Sequence, residues 1–510
     1  MQNKGMTKDY ITYSRENGGR VLLLFLLFLL AVYELITAGF QTFAILCILP
    51  FVILFIYIAF RYRMFTFWVL ITINYFIQMK DISLPVPMSL PNEMLELILL
   101  GIAVIDIRHD PHFERAGNLM LLALLIWAGF CCIEILNDTC ALGISISSWF
   151  TGARLMAFQL LWIFLVFIIY IASPKILFTY LRIWAFFSLF SVFWVWKQET
   201  FGFTRAENIW METRGRDTHI LNAGTLIRYF STFSDAANYG CHAAGAAVAF
   251  IIIGITSKLK KDKLFFLLIA AAVIWGMFQS GTRTATFTLG AGLFVYVFLS
   301  KSVKIAIPFS FIFCISAFIL IFTNIGNGNQ QIRRMRSAFN KDDASANVRD
   351  INKDAIRKYI KDAPWGIGMG MSGANIPANN KYNKLSTIPP DSEYVFIWVH
   401  TGPIGITVFI ICMGIMWIGA CRIVLFKLNN KSLIGIGGGL CGAFVAIQLG
   451  AYANQVLYQY PNGLTFFGGL AIVYVLPYIE PEWIKYEEER FAKQEEKKRL
   501  KLEKKLAERV

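Results

Sequence analysis

The chain reads as an all-α, polytopic integral membrane protein of about 14 transmembrane helices, with a large extracytoplasmic loop carrying an amphipathic helix. Three features of the sequence lead there. Of 510 residues, 56% are hydrophobic and only 16% charged, against about 25% charged in a soluble domain. The apolar residues form unbroken runs of about 17–22, long enough to cross a bilayer, rather than alternating. Basic residues crowd every second short loop, as the positive-inside rule requires. The net charge of +15 therefore reads as orientation bias and attraction to anionic lipid, not as a nucleic-acid footprint.

In chain order the predicted spans are 21–40, 41–60, 64–79, 93–107, 119–136, 152–172, 176–196, 240–257, 264–280, 284–300, 305–323, 394–421, 433–450 and 463–479. Lys4, Lys8, Arg15 and Arg20 precede the first, and no small-residue cleavage site follows it, so it reads as an uncleaved span. The third and fourth are short and suit a tilted or partly interfacial helix. With both termini cytoplasmic, the inside loops hold Arg61 and Arg63, Arg108 and Arg115, Lys175, then Lys258, Lys260, Lys261 and Lys263. Lys301, Lys304, Arg422, Lys427 and Lys431 continue the pattern, while the short outside loops hold almost no basic residue except Lys80. Residues 1–480 thus form a single transmembrane helical domain. Residues 481–510 form a charged cytoplasmic C-terminal helix, with Glu489–Lys493 and Glu495–Arg499 spaced for (i, i+4) pairs, either solvated or bound to a partner.

Two outside loops, about 197–239 and 324–393, are too long for simple connectors. In the second, Val348, Ile351, Ala355, Ile356, Tyr359 and Ile360 mark one apolar helical face, with Ser345 or Asn347 as cap and Pro364 as stop. Such a helix lies on the outer membrane surface or across a cavity mouth.

Two short polar signatures sit where spans meet loops on that outer side. The stretch Arg228 to Asn238 contains Ser231, Thr232, Ser234 and Asp235, and the hairpin Ser280-Gly281-Thr282-Arg283 joins two nearly uncharged spans. Arginine cannot shed its charge and is costly near lipid unless something pairs with it. Its guanidinium fork matches phosphate, so Arg228 and Arg283 are candidate phosphate ligands, with Asp235 and Asn238 suited to sugar hydroxyls. The competing reading is a snorkelling arginine beside a hydroxyl-rich helix cap. Arg154, near the outer end of the 152–172 span, is either a third member or an interfacial anchor. Asp391 and Glu393, just before the span at 394, are candidate general bases for a sugar hydroxyl, or ordinary acids at a helix N-terminus.

Gly368, Gly370 and Gly373 match GxGxxG, but they follow a helix rather than a strand. That rejects a dinucleotide fold and leaves an anion-binding turn or a flexible one. The five histidines (His109, His112, His219, His242, His400) and nine cysteines show no metal-ligand spacing, so no metal and no cofactor is expected. The histidines read as structural and the cysteines as small core residues, with only Cys140 in a loop.

In this order and sidedness the signatures resemble the O-antigen ligase and O-antigen polymerase superfamily of bacterial membrane glycosyltransferases. The resemblance is carried by Arg228 with Asn238 ten residues on, the Ser-x-x-Arg hairpin at 280–283, the large outer loop, the Pro-x-Gly-x-Gly turn at 364–368, and Asp391 to Gly405. It covers residues 220–410 by motif and the whole chain by topology. It implies a helical bundle in the bacterial cytoplasmic membrane whose active face is extracytoplasmic, working without a metal or a nucleotide sugar. It also implies that a glycan passes from a polyprenyl diphosphate carrier to an acceptor hydroxyl, on another glycan or on lipid A core. Arg228 and Arg283 would then hold the diphosphate.

Ligases that use lipid A core carry a His-Asn pair where this chain has Asp391-Ser392. The acidic residue is more similar to the chain-extending polymerases, so a surface-polysaccharide polymerase is expected first and a ligase second. A lipid-linked oligosaccharide transporter is the remaining class. It would place its charges at mid-membrane and show internal repeats. The expected partners are the carrier-linked glycan, the acceptor and membrane lipid, with no nucleic acid.

Overall fold

The computed structural model describes residues 18–37, 40–82, 87–106, 112–221, 226–328, 332–333, 336, 344–389 and 391–507. Lys4, Lys8, Arg15, Arg108 and His109 lie outside the described residues. A helix overlaps each predicted span without showing that all 14 cross the membrane. In chain order these are α1 (Gly18–Thr37), α2 (Phe40–Arg61), α3 (Arg63–Phe76), α4 (Ser89–Ile105), α5 (Leu119–Ile133), α6 (Ile146–Tyr170) and α7 (Pro174–Thr200). Then come α8 (Ala236–Thr256), α9 (Lys260–Gln279), α10 (Arg283–Leu299) and α11 (Val303–Phe322). The large loop carries α12 (Ala344–Ile360), and the chain closes with α13 (Glu393–Arg422), α14 (Lys431–Ala453) and α15 (Gly468–Ala507). Among the described residues nine helices are long and apolar enough to cross a membrane, and α10 is a shorter apolar helix. The protein is thus an all-α, multi-pass membrane protein.

Side-chain caps set where several helices begin. Asp235 Oδ1 accepts from the amides of Ala237 (2.8 Å) and Asn238 (2.9 Å), so α8 starts ahead of the predicted position 240. Ser145 caps α6 in the same way, and Asn430 caps α14. A hydrophobic run shows only the lipid-facing part of a helix, so the polar first turn escapes it.

The chain divides into residues 1–67 and 68–510. In the first, α1 packs against α2, and side chains such as Leu24, Phe28 and Phe51 are exposed, as lipid-facing residues are. In the second, α8 and α14 form the buried centre. Lipid offers no hydrophobic drive between helices, so close backbone approach supplies the packing. Gly292 of α10 and Gly442 of α14 meet this way: a Cβ on the first would sit 2.7 Å from the carbonyl oxygen of the second, and the reverse 2.5 Å.

The glycine-rich turn is docked rather than flexible. The amides of Ile367 and Gly368 donate to the carbonyls of Val399 (2.9 Å) and His400 (3.1 Å). Gly366, Gly370 and Gly402 hold positive φ, and a side chain on Gly370 would strike the Ser148 carbonyl. The turn therefore locks the large loop onto α6 and α13. Nearby, Ile356 and Ile360 of α12 join Cys140, Tyr382 and Leu385 in a small core outside the spans, while Val348 and Ile351 of the predicted apolar face stay exposed.

At the other end of the bundle, α15 runs unbroken past residue 480, and one face of its next turns is docked while the other stays exposed. Glu480 accepts from the amides of Asn429 (2.8 Å) and Asn430 (2.6 Å). Arg490 (2.7 Å) and Arg182 (3.1 Å) both pair with the buried Asp262.

Overpacking a glycine contact of this kind costs roughly 1–3 kcal/mol. Gly292→Ala is expected to lower the thermal unfolding midpoint of the purified protein, and Gly292→Val to lower it further. An unchanged midpoint in both would show that α10 and α14 do not depend on this contact.

Candidate functional site

The two polar signatures are bonded to each other. A two-residue antiparallel pair, Ile220–Leu221 with Leu226–Ile227, turns the chain back so that the Arg228 amide donates to the His219 carbonyl at 2.9 Å. The Arg228 guanidinium then donates from Nε to the Ser280 carbonyl (3.2 Å), from Nη1 to the Thr218 carbonyl (2.9 Å) and from Nη2 to Thr282 Oγ1 (3.1 Å). Thr282 Oγ1 in turn donates to the Ala236 carbonyl at 2.8 Å. Gly240 allows this approach, since a Cβ there would strike the Ser280 and Thr282 side chains.

Each terminal nitrogen of Arg228 keeps one N–H beyond these bonds. Burial lowers the Arg228 pKa; the charge of Asp235 opposes that, and those of Arg283 and Arg349 add to it. Arg283 is half-buried at the start of α10, on the hairpin that Arg228 bonds, and Arg349 is half-buried on α12. Like charges gathered at one place favour an anion there.

Behind Arg228 lies a packed support. His219 Nε2 accepts from the Ala236 amide (3.0 Å) and Nδ1–H donates to the Gly215 carbonyl (3.0 Å), which defines a neutral ring. Burial, then the Arg228 charge, holds its pKa down at about 4. Trp210 meets the His219 ring edge-on at 5.0 Å. Lys80 sits 4.2 Å over Trp210 and donates to the Ser234 carbonyl at 2.7 Å. Burial pulls the Lys80 pKa down to about 8, against the pull of Asp235 and Glu207.

Asp235 and Asn238 are engaged by the protein itself. Asp235 is the α8 cap described above. Asn238 is fully buried: its Nδ2 donates to Ser234 Oγ (2.9 Å) and the Tyr460 carbonyl (3.0 Å), and its Oδ1 accepts from Asn462 Nδ2 (2.6 Å). Asn462 Oδ1 lies 2.9 Å from His242 Nδ1, and His242 Nε2 lies 3.3 Å from the Tyr75 hydroxyl. This polar chain ties α3, α8 and the 454–462 loop together.

The carboxylates separate. Asp391 lines a cavity of about 190 Å³ with Arg349, Lys353 and Tyr452, and Asn352 Nδ2 of α12 donates to its Oδ2 at 3.0 Å. Glu393, two residues on, turns away into the protein and accepts from the Leu457 amide at 3.0 Å. Arg154, in a π-turn of α6, pairs with the buried Glu93 of α4 at 2.9 Å, so its charge is answered by that carboxylate. No group of three or more His, Cys, Asp or Glu able to hold a metal occurs among the described residues.

Sequence reasoning passed over Lys80, Arg349 and Asn462. The sole basic residue of a short outer loop was a usable signal for Lys80. Arg349 was one of many basic residues in its loop, and Asn462 stood in no pattern.

These features define a multi-pass membrane protein with a cationic site at the ends of its helices. Residues 265–410 match the family model described as O-antigen ligase, a stretch that includes Arg283, α12 and Asp391 but not Arg228. That stretch, less than a third of the chain, is similar to the O-antigen ligase family. No curated protein matches the chain in sequence.

The His219 ring predicts acid sensitivity. An unfolded histidine binds a proton below pH 6.5, and the folded one resists until about pH 4. The unfolded state thus holds more protons in that window, and stability falls as the pH drops through it. His219→Asn is expected to flatten the dependence of the unfolding midpoint on pH across this range. The same slope in both proteins would assign the effect to other groups.

Proposed function

We propose that the protein moves a glycan from a polyprenyl diphosphate carrier to an acceptor sugar hydroxyl at the outer face of the bacterial cytoplasmic membrane, as an O-antigen or surface-polysaccharide polymerase. One observation carries this reading: the Arg228 guanidinium is bonded through Ser280 and Thr282 to the hairpin that bears Arg283. The site lies at the start of α8, whereas Lys258, Lys260, Lys261 and Lys263 follow its far end. By the positive-inside rule that supports an outward-facing site. Charges at helix ends rather than mid-membrane count against a transporter.

In this reading Arg228 and Arg283 grip the diphosphate, and Arg349 and Lys353 line the cavity that holds Asp391. Asp391 receives the proton of the acceptor hydroxyl as its oxygen attacks the anomeric carbon. The bond from that carbon to the diphosphate oxygen breaks, and polyprenyl diphosphate leaves with the electron pair. The guanidinium groups stabilise its growing charge by preorganised electrostatics, without metal or cofactor. Asp235, Asn238 and His219 are positioning residues. Glu393 holds the 457–458 backbone, and Arg154 with Glu93 braces α6 against α4. A second reading, a ligase acting on lipid A core, is favoured by the description of the matched family.

The test is transfer by purified protein with a polyprenyl-diphosphate-linked repeat unit as sole substrate. A ladder of lengthening lipid-linked glycans is expected. Arg228→Ala and Arg283→Ala should each lower the rate by about 10²–10³. Asp391→Asn should abolish transfer while leaving donor binding intact. Transfer only after adding lipid A core would make the protein a ligase. No transfer to either acceptor from folded protein would overturn the reading.

A further inference from the structure

A second cavity, of about 510 Å³, lies at the far end of α8 from the arginines, beyond a helix of 21 residues. At 1.5 Å per residue that separation is about 30 Å, the thickness of a hydrocarbon core. The docked turns of α15 form one wall and close it over the ends of α7, α8 and α14. Its volume and lining suit a small amphiphile: a mostly apolar wall with a few convergent charges. Phe178, Ile253, Ile436 and Trp483 make the apolar part. Trp483 and Tyr486 meet at 5.9 Å with their rings tilted by 54°, the kind of aromatic pair found at a membrane–water boundary.

The charges specify the head of that amphiphile. Lys258 pairs with Glu487 at 2.8 Å, and Glu487 also accepts from Ser432 Oγ (2.6 Å) and Asn430 Nδ2 (3.0 Å), so its oxygens are occupied. Arg490 is held by Asp262 and lies 4.1 Å from the Phe178 ring centre. Both cations are engaged on one side and keep donors on the other. Glu488 also lines the cavity, and it has no ion pair among the described residues. The site therefore offers N–H donors for a phosphate and one spare carboxylate for an ammonium. A purely anionic head would meet that carboxylate unanswered, and a quaternary ammonium would bring no N–H to it.

We propose that this cavity binds a glycerophospholipid with a primary-amine zwitterionic head, its phosphate against Lys258 and Arg490, its ammonium on Glu488 and its chains along the apolar wall. The bound lipid would brace the α15 tail against the helix ends. The proposal does not rest on the transferase reading, and failure of transfer would leave it standing.

The test uses the full-length protein, purified in detergent, stripped of lipid and offered equal amounts of phosphatidylethanolamine, phosphatidylcholine and phosphatidylglycerol. Native mass spectrometry reads which lipid is retained. A partly exposed ion pair should favour phosphatidylethanolamine about threefold to fivefold over each of the others. Glu488→Gln, at an exposed position that leaves the fold intact, should erase that preference, and Glu488→Asp should retain part of it. Equal retention of all three lipids, a preference for phosphatidylglycerol, or a preference that survives Glu488→Gln would overturn the proposal.

Discussion

The Arg228 guanidinium holds three separated stretches of chain in one place. Two of its acceptors, the carbonyls of Thr218 and Ser280, belong to backbone at or just beyond helix ends, where intrahelical partners run out. A forked cation that fills such orphan acceptors is oriented before any ligand arrives. Its remaining N–H groups are then aimed without further loss of side-chain freedom, which is what electrostatic preorganisation requires. The same bonds make the residue structural. Hairpin, outer loop and the start of α8 all take their position from it, so the fold and the chemistry proposed for it share one constraint.

A second constraint lies beneath the first. Asn238, Asn462, His242 and Tyr75 form a chain of polar contacts through the most buried helix of the bundle. Polar groups at such depth are tolerable only when their partners are in place. That requirement fixes the 454–462 loop against α8. The loop's amide at Leu457 meets Glu393, and Glu393 opens α13, whose preceding residues place Asp391 in the cavity under α12. The glycine turn at 366–370 completes the arrangement by clamping the large loop to α6 and α13. The later part of a loop that looks long enough to wander is thus tied down.

The membrane class, the helix over each predicted span and the placement of Arg228 and Arg283 at one end of the bundle were all legible in the sequence. So was the helix in the large loop, although only its second half is packed. What could not be read was how each polar residue is used. Asp235 and Asn238 looked suited to a sugar and instead cap and brace α8. Asp391 and Glu393, adjacent in pattern, face a cavity and a backbone amide respectively. Arg154 looked like a partner for the other arginines and answers Glu93.

The division has a physical origin. A bilayer imposes a one-dimensional rule on any chain that crosses it: apolar length, then charge on one side. That rule is written locally, so composition and spacing determined the membrane class and where the apolar helices fall. A polar side chain has no such rule. Whether it serves a ligand or a carbonyl depends on which distant backbone group arrives within about 3 Å of it. Only the packing of α8 against α14 and the docking of the loops decided that, and with it which backbone carbonyls Arg228 meets.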